Sequence, residues 1–199
     1  MKGSIWLKSV LRTVALAAAF TSSTHAIASD IPEKKISKAG LYVTSAEAAD
    51  FLNDETVVLL DIRSRAEVSF LGLPTRVNVH IPYKVLPGFP VFDENKGTYE
   101  LQLNPDFLAD FENYVKENNL SRDTRFILMC RSGSRSARAA SLLYKRGFPN
   151  VYSLLDGYEG DKAKNGPSKG KRTVNGWRNA GLDWSYKIKT SQVYPPDKE

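Results

Sequence analysis

The chain has 199 residues, a quarter of them charged, and a net charge of +6. That charge is mild and forms no basic stripe interleaved with aromatics, so nucleic acid is excluded as an expected partner. Two histidines and one cysteine, Cys130, argue against a metal centre and rule out an internal disulfide.

The first 28 residues read as an export signal. Lys2, Lys8 and Arg12 make a positive start, residues 14–20 are apolar, and Ala26-Ile27-Ala28 fits the small-x-small cleavage rule. A spanning helix needs ~20 apolar residues and this run has seven, so no membrane anchor is expected. Cleavage after Ala28 removes three positive charges and leaves 171 residues with a net charge of +3. The expected location is the periplasm or the exterior, where an unpaired thiol calls for a reactive or an intermolecular explanation.

Residues 29–39 read as a flexible polar lead-in. Thr44-Ser-Ala-Glu47 is a capping box, and Ala48, Phe51 and Leu52 give the apolar face of a helix over 45–53. The apolar run 56–62 has the length and character of a buried parallel strand. A second strand is predicted near 77–81, stopped by Pro82. The stretch 84–103 is long for a connection. Pro87, Gly88 and Pro90 break it and Asp93-Glu-Asn-Lys-Gly97 reads as a turn, which predicts a protruding loop or hairpin.

Asn104-Pro105-Asp106 opens a helix that carries Phe107, Leu108, Phe111, Tyr114 and Val115 at helical spacing. A strand over 125–129, a turn over 130–135 and a helix over 136–146 follow, closed by Gly147. A last strand is predicted over 151–155. Alternating helices and apolar strands make this an α/β domain around a mainly parallel sheet. Ligands in such sheets sit beyond the carboxyl ends of the strands. Cys130 stands at such an end.

The turn after that strand is Cys130-Arg-Ser-Gly-Ser-Arg135-Ser136. Its amides belong to a tight turn and a first helical turn, where backbone donors lack intrahelical partners and can hold an anion. Gly133 permits the turn; Arg131 and Arg135 add positive potential; Ser132, Ser134 and Ser136 supply hydroxyls with little bulk. A thiol that titrates near ~8.5 in isolation is lowered by such surroundings. Free cysteines are often simply buried apolar residues. A structural cysteine, however, needs neither two arginines nor a small-residue turn. Cys130 is therefore the candidate nucleophile and residues 131–136 the candidate cradle.

Two chemistries share this layout. Cysteine phosphatases and some arsenate reductases place an arginine at Cys-x5-Arg to clamp an oxyanion. Here the spacing from Cys130 to Arg135 is Cys-x4-Arg, and a shorter loop suits a single persulfide sulfur better than a phosphate. With Asp61-Ile-Arg63 and Glu67 after the first strand, and Leu155-Asp-Gly157 after the last, the chain resembles the rhodanese (sulfurtransferase) family over roughly residues 40–184. The resemblance implies a three-layer domain over 40–186, with a mainly parallel five-stranded sheet flanked by helices and a tail over 187–199. It also implies a Cys130 persulfide, formed from a small anionic donor such as thiosulfate. That sulfur is then passed to a thiol, cyanide or protein acceptor, with no cofactor. A non-catalytic persulfide carrier for an exported partner is the alternative; a phosphatase or arsenate reductase is disfavoured by the loop count.

Asp61 and Arg63 are read as a structural pair, and His80 as packed or on the surface rather than a ligand. In many rhodaneses the last strand runs into Gly-Gly-x-x-Gly-Trp, whereas here the Gly-Trp pair waits until Gly176-Trp177. Residues 161–175 therefore read as an insertion, with Lys162, Lys164, Lys169, Lys171 and Arg172 against one acid. A solvated surface loop is the favoured reading, and a wall at the active-site mouth the other. Trp177, Leu182 and Trp184 are expected to pack a terminal helix onto the sheet.

Overall fold

The computed structural model describes residues 31–195. The expected export signal and the last four residues of the tail lie outside them. Two apolar segments, β2 (Val58–Asp61) and β9 (Phe126–Met129), are buried at every position. A strand covered on both faces has to sit mid-sheet. They pair in parallel, Val58 opposite Phe126 and Asp61 opposite Met129, at the centre of a five-stranded sheet. The order is β1 (Tyr42–Val43), β10 (Val151–Leu154), β9, β2, β4 (Val79–His80), all parallel.

Alternation along the strands divides the core in two. Val58, Leu60, Phe126, Leu128 and Cys130 face α3 (Phe107–Glu117) and α4 (Ser134–Lys145). Leu59, Ile127 and Met129 face Ala48 of α1 (Ser45–Phe51) and Val68 of α2 (Arg65–Leu71). The result is a three-layer α/β domain with helices on both faces. Phe111 centres the first layer, its ring 5.0 Å from both Phe126 and Phe148 in edge contacts.

The capping box of α1 forms as the sequence requires, Thr44 and Glu47 exchanging side-chain-to-backbone bonds. The same device starts α2, a helix absent from the sequence reading: Ser64 Oγ accepts from Glu67 N and Glu67 accepts from Ser64 N. Helix α4 begins at Ser134 rather than 136, because Gly133, at φ 93°, already serves as its cap. The tight turn is thus 130–133, and Ser134, Arg135 and Ser136 form the first turn of α4.

Between β4 and α3 the chain makes a two-tier hairpin. Antiparallel β5 (Lys84–Val85) and β8 (Gln102–Leu103) form its base, β6 (Phe92–Asp93) and β7 (Thr98–Tyr99) its tip. The expected terminal α-helix is not found among the described residues. Gly176 and Gly181 take φ values of 100° and 71°, which a continuous helix cannot contain. Trp177 is instead buried in a turn, its Nε1 donating to the Asp183 carbonyl at 2.9 Å. Trp184 lies in β11 (Trp184–Ser185), antiparallel to β3 (Leu73–Pro74).

Candidate active site

Cys130 follows the last residue of β9 and is 1% exposed. Its Sγ accepts a hydrogen bond from the Gly133 amide at 3.2 Å. Of the six loop amides expected around the sulfur, the Gly133 amide is the one that bonds to it among the described residues. Gly133 cannot be replaced: an added Cβ would lie 2.1 Å from the Leu155 carbonyl oxygen. Backbone approach on that scale is what fixes the amide's aim.

The carbonyl side of the turn is tied down by the segment after β10. Tyr158 N donates to Cys130 O at 2.8 Å, and Glu159 N to Arg131 O at 3.0 Å. Gly157, at φ 64°, makes this possible; a Cβ there would meet Cys130 O and Ser132 N at 2.6 Å. Asp156 braces the same segment, accepting from Ser45 N and Oγ at 2.9 Å and from Gly176 N at 3.0 Å. With the carbonyls of Cys130 and Arg131 so engaged, the Gly133 amide meets the sulfur at the head of α4, where helical donors lack partners.

The two arginines do not stand free, as the sequence alone suggests. Arg131 pairs with Glu159. Arg135 grips Glu67 through both terminal nitrogens, at 2.7 and 2.6 Å. Burial pushes the Glu67 carboxyl up, but the bonds from Arg135 and Ser64 outweigh it and hold the group down at about 2. Burial also opposes the charge of Arg135, yet Glu67 and the Cys130 sulfur keep it above its ordinary value. Glu67 therefore joins α2 to α4 and holds the Arg135 guanidinium in place. In the sequence Glu67 stands out only as one of the residues that carry the family resemblance.

Ser132 is half-buried at the lip of a cavity, and Ser134 is half-buried in the first turn of α4. Ser136 is fully buried, its hydroxyl without a hydrogen-bond partner among the described residues. Asp61 and Arg63 form a fully buried bidentate pair, and the Arg63 guanidinium lies 3.8 Å from the Tyr158 ring centroid. Both side chains are thus shielded from solvent and engaged with each other. His80 is buried, and its Nε2 lies 2.7 Å from the Arg63 carbonyl, which makes that nitrogen the protonated donor. Burial lowers its pKa against the pull of Asp61. Among the described residues no group of three or more His, Cys, Asp or Glu side chains could hold a metal ion.

A model of the rhodanese-like domain matches residues 44–164, more than half of the chain. The chain belongs to the rhodanese-like domain family. Its relatives include the uncharacterized protein RP600 of Rickettsia prowazekii, 31% identical over 129 residues, which are 64% of this chain and 82% of that one. The uncharacterized protein RC0915 of Rickettsia conorii is 30% identical over 146 residues, 72% of this chain and 96% of that one. The crystal structure of Rv0390 from M. tuberculosis matches with a TM-score of 0.54 and 29% identity, covering 73% of this chain and 96% of that one. The rhodanese-like match ends at residue 164, inside the basic stretch 161–175. That stretch is solvent-exposed over most of its length, and it also walls the cavity that Ser132 borders.

Proposed function

We propose that the protein is a sulfurtransferase that carries a sulfane sulfur on Cys130. The Cys130 thiolate attacks the outer sulfur of an anionic donor such as thiosulfate. A new Sγ–S bond forms as the donor's S–S bond breaks, and the electron pair leaves with sulfite. A nucleophilic acceptor, whether thiol, cyanide or protein, then attacks the terminal sulfur. The electron pair of the Sγ–S bond returns to Sγ, so no outside oxidant or reductant is needed.

The observation that carries this reading is the Gly133 N–H, 3.2 Å from Sγ at the head of α4. Amides of residues 131–136 are the proposed cradle for the terminal sulfur, a small anion held by backbone donors without a metal. Phosphate chemistry has less support. The turn is closed by residue 133, and Arg135 commits both terminal nitrogens to Glu67 rather than reaching over the cysteine.

Thiosulfate is expected to add one sulfur atom to the wild-type protein, read by intact mass, and none to Cys130→Ser. Rapid turnover with cyanide alone would separate the enzyme from a carrier that unloads only onto a partner. A wild-type protein that gains no sulfur from any sulfane donor would overturn the reading.

A further inference from the structure

Beside the cysteine turn lies a cavity of about 840 Å³, whose wall includes Pro32, Lys34, Ser132, Asp161, Lys162, Lys164 and Arg172. It is built by the lead-in before the sheet and by the insertion, two segments far apart in sequence. Lys35, almost fully buried, ties them together by donating to both oxygens of Asp161 at 2.8 Å. The Lys35 stem also packs where a Gly133 side chain would go, with Cδ 3.2 Å from that position.

The insertion is preorganised. Ala163 N donates to Lys171 O and Gly170 N to Ala163 O, both at 2.8 Å. Asn175 Oδ1 accepts from Asp161 N at 2.7 Å, and Asn179 donates to the carbonyls of Glu159, Arg172 and Asn175. Gly160 packs so tightly on Asn175 that an added Cβ would lie 1.7 Å from its carbonyl oxygen. The two ends of the insertion are thus pinched together, and the backbone that carries its cations is held in place.

The charge in the cavity is one-sided. Lys34, Lys162, Lys164 and Arg172 face a single carboxylate, Asp161, which Lys35 already engages. Arg172 Nη1 donates to Gly160 O at 2.6 Å, while its Nε is buried without a partner among the described residues. Ser132 and Arg172 line the same cavity, which brings the guanidinium to the side of the cysteine turn. A donor the size of thiosulfate fills little of such a volume. It is the size of a small-molecule pocket.

We propose that this cavity is an anion subsite for the acceptor: a small organic thiol carrying two or more carboxylates, held by Lys34, Lys162, Lys164 and Arg172. The inference rests on the persulfide reading. The carboxylates dock on the cations, and the acceptor thiolate is thereby placed against the terminal sulfur at the Ser132 lip. The acceptor–sulfur bond forms as the Sγ–S bond breaks, its electron pair stays on Sγ, and the acceptor leaves as a persulfide. A backbone already held in place lowers the ordering cost of binding such a ligand.

The test uses the full chain, preloaded with sulfur from thiosulfate. Its unloading is followed with mercaptosuccinate, 3-mercaptopropionate and 2-mercaptoethanol, which carry two, one and no carboxylates. The KM is expected to be lowest for mercaptosuccinate and to rise along the series, with the spread shrinking in high salt. Lys164→Ala and Arg172→Ala should each raise the KM for mercaptosuccinate about fivefold and leave that for mercaptoethanol unchanged. Intact mass reports the loading step separately. Variants that load normally and unload to all three thiols with wild-type constants overturn the subsite alone. A wild-type chain that never loads overturns the persulfide reading beneath it.

Discussion

At Glu67 a single carboxylate does two things: it caps α2, and it holds both terminal nitrogens of Arg135 in the first turn of α4. Its folded pKa is about 2, below the ordinary 4.5. The stabilisation linked to its ionisation is therefore fully present above about pH 4.5 and disappears as pH falls through about 2. A depression of that size corresponds to about 3 kcal/mol, an upper figure for a group that keeps some contact with solvent. Glu67→Gln should lower stability at neutral pH by up to that amount and flatten the loss of stability between about pH 4.5 and 2. Chemical denaturation at a series of pH values measures both effects. An acid branch with the wild-type slope would show that Glu67 is not the linked group.

Elements show where sequence patterns were sufficient and where they were not. The buried strands β2 and β9 were legible as continuous apolar runs, α3 by its apolar positions at helical spacing, and α4 by the turn before it and Gly147 after it. Strand β1 was not, since two residues give no period. Helix α2 was missed although the spacing of Ser64-Arg-Ala-Glu67 marks its start, because its seven residues bury Val68 alone and show no stripe. Cys130 and the turn were legible from composition. The ion pairs that take up Arg131 and Arg135 were not, because Glu159 and Glu67 come from other elements.

The turn itself depends on an element it does not belong to. The segment after β10 holds the carbonyls of Cys130 and Arg131 through the amides of Tyr158 and Glu159, and it can do so only because position 157 lacks a side chain. Gly157→Ala combines a left-handed backbone with contacts of 2.6 Å to three backbone atoms of the turn. Its cost is expected to exceed about 1 kcal/mol, with the loop displaced while the sheet survives. Far-UV circular dichroism should stay native-like as sulfur loading from thiosulfate, read by intact mass, falls sharply. Wild-type loading in this variant would mean that the clamp does not set the geometry at Cys130.

Across the whole molecule, stability and surface elaboration are assigned to different parts of the chain. The core on the α3–α4 side is organised by Phe111, fully buried between Phe126 and Phe148. The hairpin that connects β4 to α3 leaves Phe89 95% exposed and Val91 62% exposed. Side chains that remain in water contribute almost none of the apolar burial that drives folding. The base of the hairpin is tied to the domain, where Asn104 N donates to Tyr83 O and Asn104 Nδ2 to Pro82 O. Phe111→Ala should therefore cost about 3–5 kcal/mol and lower Tm by roughly 10 °C in a domain of this size. Replacing residues 88–99 by a short turn keeps β5 and β8 and should change stability by less than about 1 kcal/mol, because closure entropy varies slowly with loop length. Thermal unfolding of the two variants side by side decides the matter: if shortening the hairpin lowers Tm as far as Phe111→Ala does, the exposed tip is coupled to the core.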